Sequence, residues 1–236
     1  SAPTFDGGRP VDYYVVYQNG TIITQVTETF VIITGLVNGV EYQFTVSSHN
    51  LAGTGPVSEA VYAIPYTVPD SPTGLTAIDG DASVLLNWTA PAFNGGRAIS
   101  FYVIYQDGVD VMHVNGTSAT ISGLLNGQTY LFTVSASNLA GIGPSSSSVQ
   151  SIPFTVPNPV TGLTAKPGNG NVTLNWTAPS FDGGRPIDYY MVFVDGSSVG
   201  QVTSTSMTIE GLQNGREYSA YVIAHNLAGS MGPDEF

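Results

Sequence analysis

The sequence predicts an all-β chain built as tandem two-sheet sandwiches of seven strands each. Three observations predict it. Marked phrases recur every 88 residues: Gly-Gly-Arg begins at Gly7, Gly95 and Gly183, Asn-Gly at Asn38, Asn126 and Asn214, and Asn-Leu-Ala-Gly at Asn50, Asn138 and Asn226. That period is too long for a solenoid repeat and suits an autonomous domain. Between the marks, short runs of Val, Ile, Tyr, Thr and Phe alternate with Gly, Asn and Pro, and no helical period persists.

In the complete middle repeat the runs place strands at 74–78, 83–89, 99–106, 109–115, 119–122, 129–138 and 148–155. Within 83–89, Val84, Leu86 and Trp88 fall on one face by the period-2 rule. Asp107-Gly108 reads as a hairpin turn, because a two-residue loop needs positive φ. Gly95-Gly96, with its copies, forms the loop that leads into the third strand. Seven short strands at this spacing suit a sandwich.

The phrases Leu-Asn-Trp-Thr-Ala-Pro (86–91 and 174–179), the Gly-Gly-Arg loop and "GLLNGQTYLFTVSASNLAGIGP" (123–144) resemble the fibronectin type III family. The resemblance covers essentially the whole chain. It implies an Ig-like sandwich with one three-stranded and one four-stranded sheet. Trp88 and Trp176 become core plugs. Tyr42, Tyr130 and Tyr218 become tyrosine corners, whose hydroxyls bond to nearby backbone.

The repeats divide the chain into 1–67, 68–156 and 157–236. The first lacks the counterpart of the first two strands, and the last ends before a seventh, with its Gly232-Pro233 shifted by one residue. A sandwich lacking two strands exposes a core face and a sheet edge. Three explanations are open: a window on a longer array, a fragment, or completion by a neighbouring molecule through β-addition. The first residues read as the middle of a repeat rather than as a signal peptide. The linkers, "IPYTVPDSP" (64–72) and "IPFTVPNPV" (152–160), are short and proline-rich, which predicts restricted bending and an extended rod.

Composition narrows the functions. With 5 basic and 17 acidic side chains the net charge is −12, which argues against nucleic acid and anionic membranes. No apolar run approaches the roughly 20 residues of a membrane-spanning helix. Cysteine is absent, so disulfides, thiolate metal sites and cysteine nucleophiles are excluded. The three histidines, His49, His113 and His225, have no recognisable triad partner and read as solvated surface residues. No cofactor signature is present, and the sequence predicts no enzymatic role.

Several residues carry two readings. Asp6 and Asp12, with Asp182 and Asp188, bracket the glycine turn either as loop-stabilising carboxylates or as calcium ligands. The middle repeat has Asn94 and Ser100 there, and a calcium ion needs six to eight oxygens. Arg9, Arg97 and Arg185 either pair locally or contact a neighbouring domain or chain. The third strand is apolar on both faces. With Tyr102 and Ile104 inward, Phe101, Val103 and Tyr105 point outward, as do Tyr13, Val15 and Tyr17, and Tyr189, Met191 and Phe193. Either long neighbours cover this stripe, or it is exposed and forms a repeated lateral interface. Asn19, Asn87, Asn115, Asn171 and Asn175 stand in Asn-x-Ser/Thr triplets and are candidate glycosylation sites.

The expected function is structural: a non-catalytic rod or filament element of a fibre, sheath, surface layer or adhesin stalk. It would be extracellular or at the cell surface and would self-associate, or bind other surface proteins, through the third-strand face. The alternatives are an inert spacer array in a larger secreted enzyme, and a glycan- or protein-binding module.

Overall fold

A computed structural model describes residues 1–231 of the chain, and all regular structure among them is strand. The first repeat supplies β1 (Tyr13–Gln18), β2 (Thr21–Val26), β3 (Tyr42–Asn50), β4 (Gly53–Thr54) and β5 (Val61–Ala63). They form one sheet in the order β2-β1-β3-β4, with β5 also on β3. The middle repeat has two sheets. One holds β6 (Thr73–Gly80), β7 (Ser83–Thr89) and β10 (Ser118–Ser122) in the order β10-β7-β6. The other holds β8 (Phe101–Gln106), β9 (Val109–Val114), β11 (Tyr130–Asn138), β12 (Gly141–Ser145) and β13 (Val149–Ser151), in the order β12-β11-β8-β9 with β13 on β11. The third repeat pairs β14 (Thr161–Pro167), β15 (Asn171–Thr177) and β18 (Ser206–Glu210) in one sheet. Its other sheet is β17 (Ser197–Val202), β16 (Tyr189–Val194) and β19 (Ala220–His225). Gly232-Pro233 lies outside the described residues.

The chain separates into two compact units. One comprises Ser1–Thr73, Ala90–Val103 and Val134–Ser146, and the other Gly74–Thr89, Ile104–Thr133 and Ser147–Phe236. The division runs through the middle repeat, so each unit contains one complete linker together with the loops around it.

Alternation decides which side chains are buried. On β7, Val84, Leu86 and Trp88 are buried while Leu85 is exposed. On β15, Leu174 and Trp176 are buried and Asn175 is exposed. Trp176 meets Tyr190 edge-on at 5.5 Å between ring centroids, a favoured aromatic geometry. The hydroxyls of Tyr42, Tyr130 and Tyr218 accept the backbone N–H of Val37, Leu125 and Gln213, each at 2.9 Å.

The hairpin turns use one device three times. Asn19, Asp107 and Asp195 take positive φ, each followed by a glycine that does the same. Their Oδ1 atoms accept the N–H of Gln43, Leu131 and Ser219, each at 2.9 Å. At Asp195 the Ser219 N–H holds the carboxyl below the usual carboxylate range, helped by Arg216.

The observed strands differ from the expected ones in two places. The seventh strand is split into β12 and β13, and β12 lies in "GIGPS", whose glycines and proline conceal it from pattern reading. Residues 152–155 are linker: Pro153 O accepts from Gly127 N–H, Phe154 N–H donates to Gly80 O at the end of β6, and Thr155 N–H donates to Gly183 O, with no continuous ladder.

Equivalent core positions differ in exposure between the repeats. Val46, Val134 and Val222 are equivalent, and their exposures are 37%, 0% and 5%. Among the described residues, no β6-β7-type sheet covers this face of the first repeat. Residues 30–34, the counterpart of β10, are irregular.

Candidate functional site at the linker grooves

The site is built from three pieces of sequence: the Thr-Val-Pro core of a linker, the Gly-Gly-Arg loop and the Asn-Leu-Ala-Gly turn. In the first unit Thr67 N–H donates to Gly95 O at 2.8 Å and Asp70 N–H to Phe93 O at 3.0 Å. The Asn138 amide donates to Thr67 O and Asn94 O, both at 2.8 Å, while its Oδ1 accepts the Ala140 N–H. One buried asparagine therefore binds linker, loop and its own turn. The preceding Asn-Gly turn closes the site, with Gly39 N–H donating to Pro65 O at 2.8 Å.

The second unit repeats this bond for bond. Thr155 N–H reaches Gly183 O at 2.8 Å, Asn158 N–H reaches Phe181 O at 3.0 Å, and Gly127 N–H reaches Pro153 O at 2.8 Å. The Asn226 amide donates to Thr155 O at 2.8 Å and Asp182 O at 2.7 Å. Asn226 is fully buried, so each of these bonds replaces one that water would otherwise make.

The glycines of the loop are required for space as well as for φ. A Cβ on Gly183 would stand 2.7 Å from Asn226 Nδ2 and 2.8 Å from Val156 O, and nearer still to Thr155 O. One on Gly96 would meet Gly39 Cα at 2.7 Å, and one on Gly184 would meet Gly127 Cα at the same distance. The repeated loop phrase is thus a docking surface for backbone, which only glycine leaves open.

Arginine completes each groove. Arg97 lies over the Tyr66 ring and Arg185 over the Phe154 ring, both 4.9 Å from the centroid. Arg185 also donates to Asp79 Oδ2 at 2.6 Å. Asp79 Oδ1 accepts from Ser151 Oγ and, at 3.1 Å, from Ile152 N–H. Replacing Asp79 by Ala removes these acceptors from a partly buried site and should cost about 1 kcal/mol locally. The expected readout is roughly fivefold faster hydrogen exchange at Ile152, with the β15 amides unchanged. Arg9, the first copy, is exposed.

The sequence profile of the fibronectin type III domain matches residues 1–64, 70–152 and 158–235. The chain belongs to this family. Fibronectin type III domains are as a rule non-catalytic modules. A Kelch domain-containing protein of Saccharolobus solfataricus is 35% identical over 181 residues, covering 74% of this fibronectin type III chain and 25% of the relative. Exoglucanase A of Cellulomonas fimi is 34% identical over 238 residues, covering 92% of this chain and 27% of the relative. The chain spans about a quarter of the length of these relatives. Among solved structures, the chicken CNTN1 FN1-FN3 domains align over 96% of this chain and 87% of theirs, at 17% identity and a TM-score of 0.38.

The remaining candidates fall elsewhere in the fibronectin type III repeats. The expected exposed stripe on the third strand is not exposed. Val15 and Val103 are buried, while Tyr13, Tyr17, Phe101, Tyr105, Tyr189, Met191 and Phe193 are half-buried. The reason is position in the sheet: β1, β8 and β16 each lie between two neighbours whose side chains cover them. Tyr13 stacks on His49 at 4.3 Å, Tyr189 on His225 at 4.4 Å and Phe193 on Tyr221 at 4.6 Å. Tyr17 bonds Ser47 through the two hydroxyls at 3.3 Å. The same stacks correct the reading of His49 and His225 as solvated. Both rings are mostly covered, with Nδ1 at 3.8 Å from Asp12 and 3.5 Å from Asp188. His113 lies 2.9 Å from Asp110 on an exposed strand.

Asp6 and Asp182 have structural work of their own. Their Oδ1 atoms accept the N–H of Gly8 and Gly184 at 2.8 and 2.9 Å, and Asn94 does the same for Gly96 at 3.0 Å. An amide serves as well as a carboxylate, which is a turn requirement rather than a cation requirement. Of the sequon asparagines, Asn19, Asn115 and Asn175 are exposed, and Asn87 and Asn171 are half-buried.

Pattern reading singled out Asn-Leu-Ala-Gly only as a repeat mark and missed the asparagine as the organising residue. The signal was present, because Asn50, Asn138 and Asn226 are invariant among the three copies while the neighbouring position changes from His49 to Ser137 to His225.

Proposed function

We propose that the chain is a non-catalytic structural array, a stiff spacer within a longer extracellular protein. The observation that carries this reading is the duplicated linker groove. Each linker is held by backbone bonds, a buried asparagine amide and an arginine, where a flexible tether would leave its backbone in water. Occurrence of the family in extracellular proteins, and in relatives named as a chitinase and an exoglucanase, supports placement outside the cell. A span of about a quarter of the relatives' length supports a part played beside other modules.

The absence of cysteine makes the test simple. Leu131, paired with Gln150 just before the linker, and Leu227, next to Asn226, are exposed and lie in one unit. Spin labels on Leu131→Cys and Leu227→Cys should give a narrow distance distribution that broadens when Asn226→Ala is added. A broad distribution in the parent would overturn the spacer reading. The competing reading, assembly through the third-strand face, predicts instead a mass that rises with concentration and falls back in Phe101→Ser/Tyr105→Ser. The covered state of that face favours a mass that stays constant.

A further inference from the structure

The first repeat carries the same groove, and no linker among the described residues is seated in it. Pro3, Phe5, Gly7, Asn50, Gly53 and Gly55 line a cleft of about 440 Å³, within the size range of binding clefts. Of their counterparts in the middle repeat, Gly95, Asn138, Gly141 and Gly143 lie against Thr67–Pro69, and Phe93 O accepts the Asp70 N–H. A Cβ on Gly141 would lie 3.7 Å from Val68 Cγ1, and one on Gly143 would collide with the Pro69 carbonyl. Pro69 itself is fully buried. At the first repeat the corresponding positions are free. A Cβ on Gly53 meets nothing within 4 Å, and one on Gly55 meets only Ser48, at 3.6 Å. Phe5 is 78% exposed, against 37% for both Phe93 and Phe181.

The lining of this groove makes the same internal bonds. Asp6 Oδ1 holds the Gly8 N–H, the Asn50 amide donates to Asp6 O at 2.7 Å, and Asn50 Oδ1 accepts the Ala52 N–H at 2.9 Å. These are the contacts that Asn94, Asn138 and Ala140 make in the filled groove. Among the described residues, no linker bonds to Gly7 O or Phe5 O.

We propose that this groove is a binding site for an extended Thr-Val-Pro-Asx peptide, the linker of a further repeat of this type. The peptide threonine N–H would donate to Gly7 O, the Asx N–H to Phe5 O, and the threonine carbonyl would accept from Asn50 Nδ2. The proline would pack over Gly55. The proposal does not rest on the spacer reading, since a receptor groove exists whether or not the junctions are stiff.

The test titrates a peptide of sequence IPYTVPDSP, copied from residues 64–72, into the ¹⁵N-labelled chain. Saturable shifts are expected at the Gly7 and Gly55 amides and the Asn50 side-chain amide, with half-saturation in the millimolar range. A control peptide carrying Pro69→Asp should give none. Gly55→Ala is the decisive variant. Gly55 lies outside the positive-φ region and has room for a methyl group in the free chain, so the fold stays intact and the shifts vanish. Absence of shifts up to about 10 mM peptide would overturn the proposal. So would equal shifts with the control peptide, shifts retained in Gly55→Ala, or shifts confined to the Phe30 and Phe44 face.

Discussion

Gly183→Ala should release the second linker from its groove, whereas Gly7→Ala should cost only backbone strain. Both glycines have positive φ, at +84° and +73°, so both substitutions put a side chain where L-residues are disfavoured by about 1–2 kcal/mol. Only at Gly183 does the new methyl meet backbone, namely Thr155 O and Val156 O, with the Asn226 amide behind. At Gly7 the nearest atom is Asn50 Nδ2, at an ordinary 3.4 Å. The clash at Gly183 leaves the structure no cheap adjustment, because the colliding atoms are themselves fixed by the bonds that define the groove. Losing the Thr155–Gly183 and Asn226–Thr155 hydrogen bonds adds roughly 1–3 kcal/mol to the strain. Hydrogen exchange at Thr155 and Asn158 should accelerate about a hundredfold, since each 1.4 kcal/mol is tenfold. Gly7→Ala should leave those two amides as they are. Equal protection of Thr155 in the parent and in Gly183→Ala would show that the groove does not hold the linker.

The fold was legible because its determinants are local. Alternation on β7 and β15, positive-φ turns at Asp107-Gly108 and a corner tyrosine five residues after the N–H it accepts are all written in adjacent residues. The groove was legible only in part. The Gly-Gly-Arg phrase was visible as a repeat, and glycine in pairs pointed to a tight turn. What the glycines make room for could not be read, because the bond from Asn138 to Thr67 joins residues 71 apart and the one from Arg185 to Asp79 joins residues 106 apart. Which of the two readings of the third-strand stripe holds was not legible for a related reason. Burial of Val103 depends on which strands flank β8, and a period-2 pattern carries no information about neighbours. Strand β12 was missed because glycine and proline mark turns locally, while its pairing with β11 is set by the sheet.

The largest stability effect is expected at Phe132, and the same substitution one repeat earlier should do far less. Phe132 is fully buried in the sandwich of the middle repeat, and truncation to alanine leaves a cavity costing about 3–5 kcal/mol. Its counterpart Phe44 is only half-buried, and among the described residues no sheet faces it, so its truncation removes less contact and opens a groove that water can fill. The difference follows from the covering sheet rather than from the residue, as the three equivalent valines already show. Tryptophan makes the comparison readable, since Trp88 and Trp176 are the only two in the chain and the first repeat has none. In a Trp176→Phe background, Trp88 fluorescence reports the middle repeat alone. With a urea dependence of about 2 kcal/mol/M, Phe132→Ala should lower that midpoint by roughly 2 M. Phe44→Ala should leave it nearly in place and instead speed hydrogen exchange along β3. Equal shifts in the Trp88 midpoint would mean that the first repeat's sheet is stabilised as a full core is, and the exposure of Val46 would then have no energetic meaning.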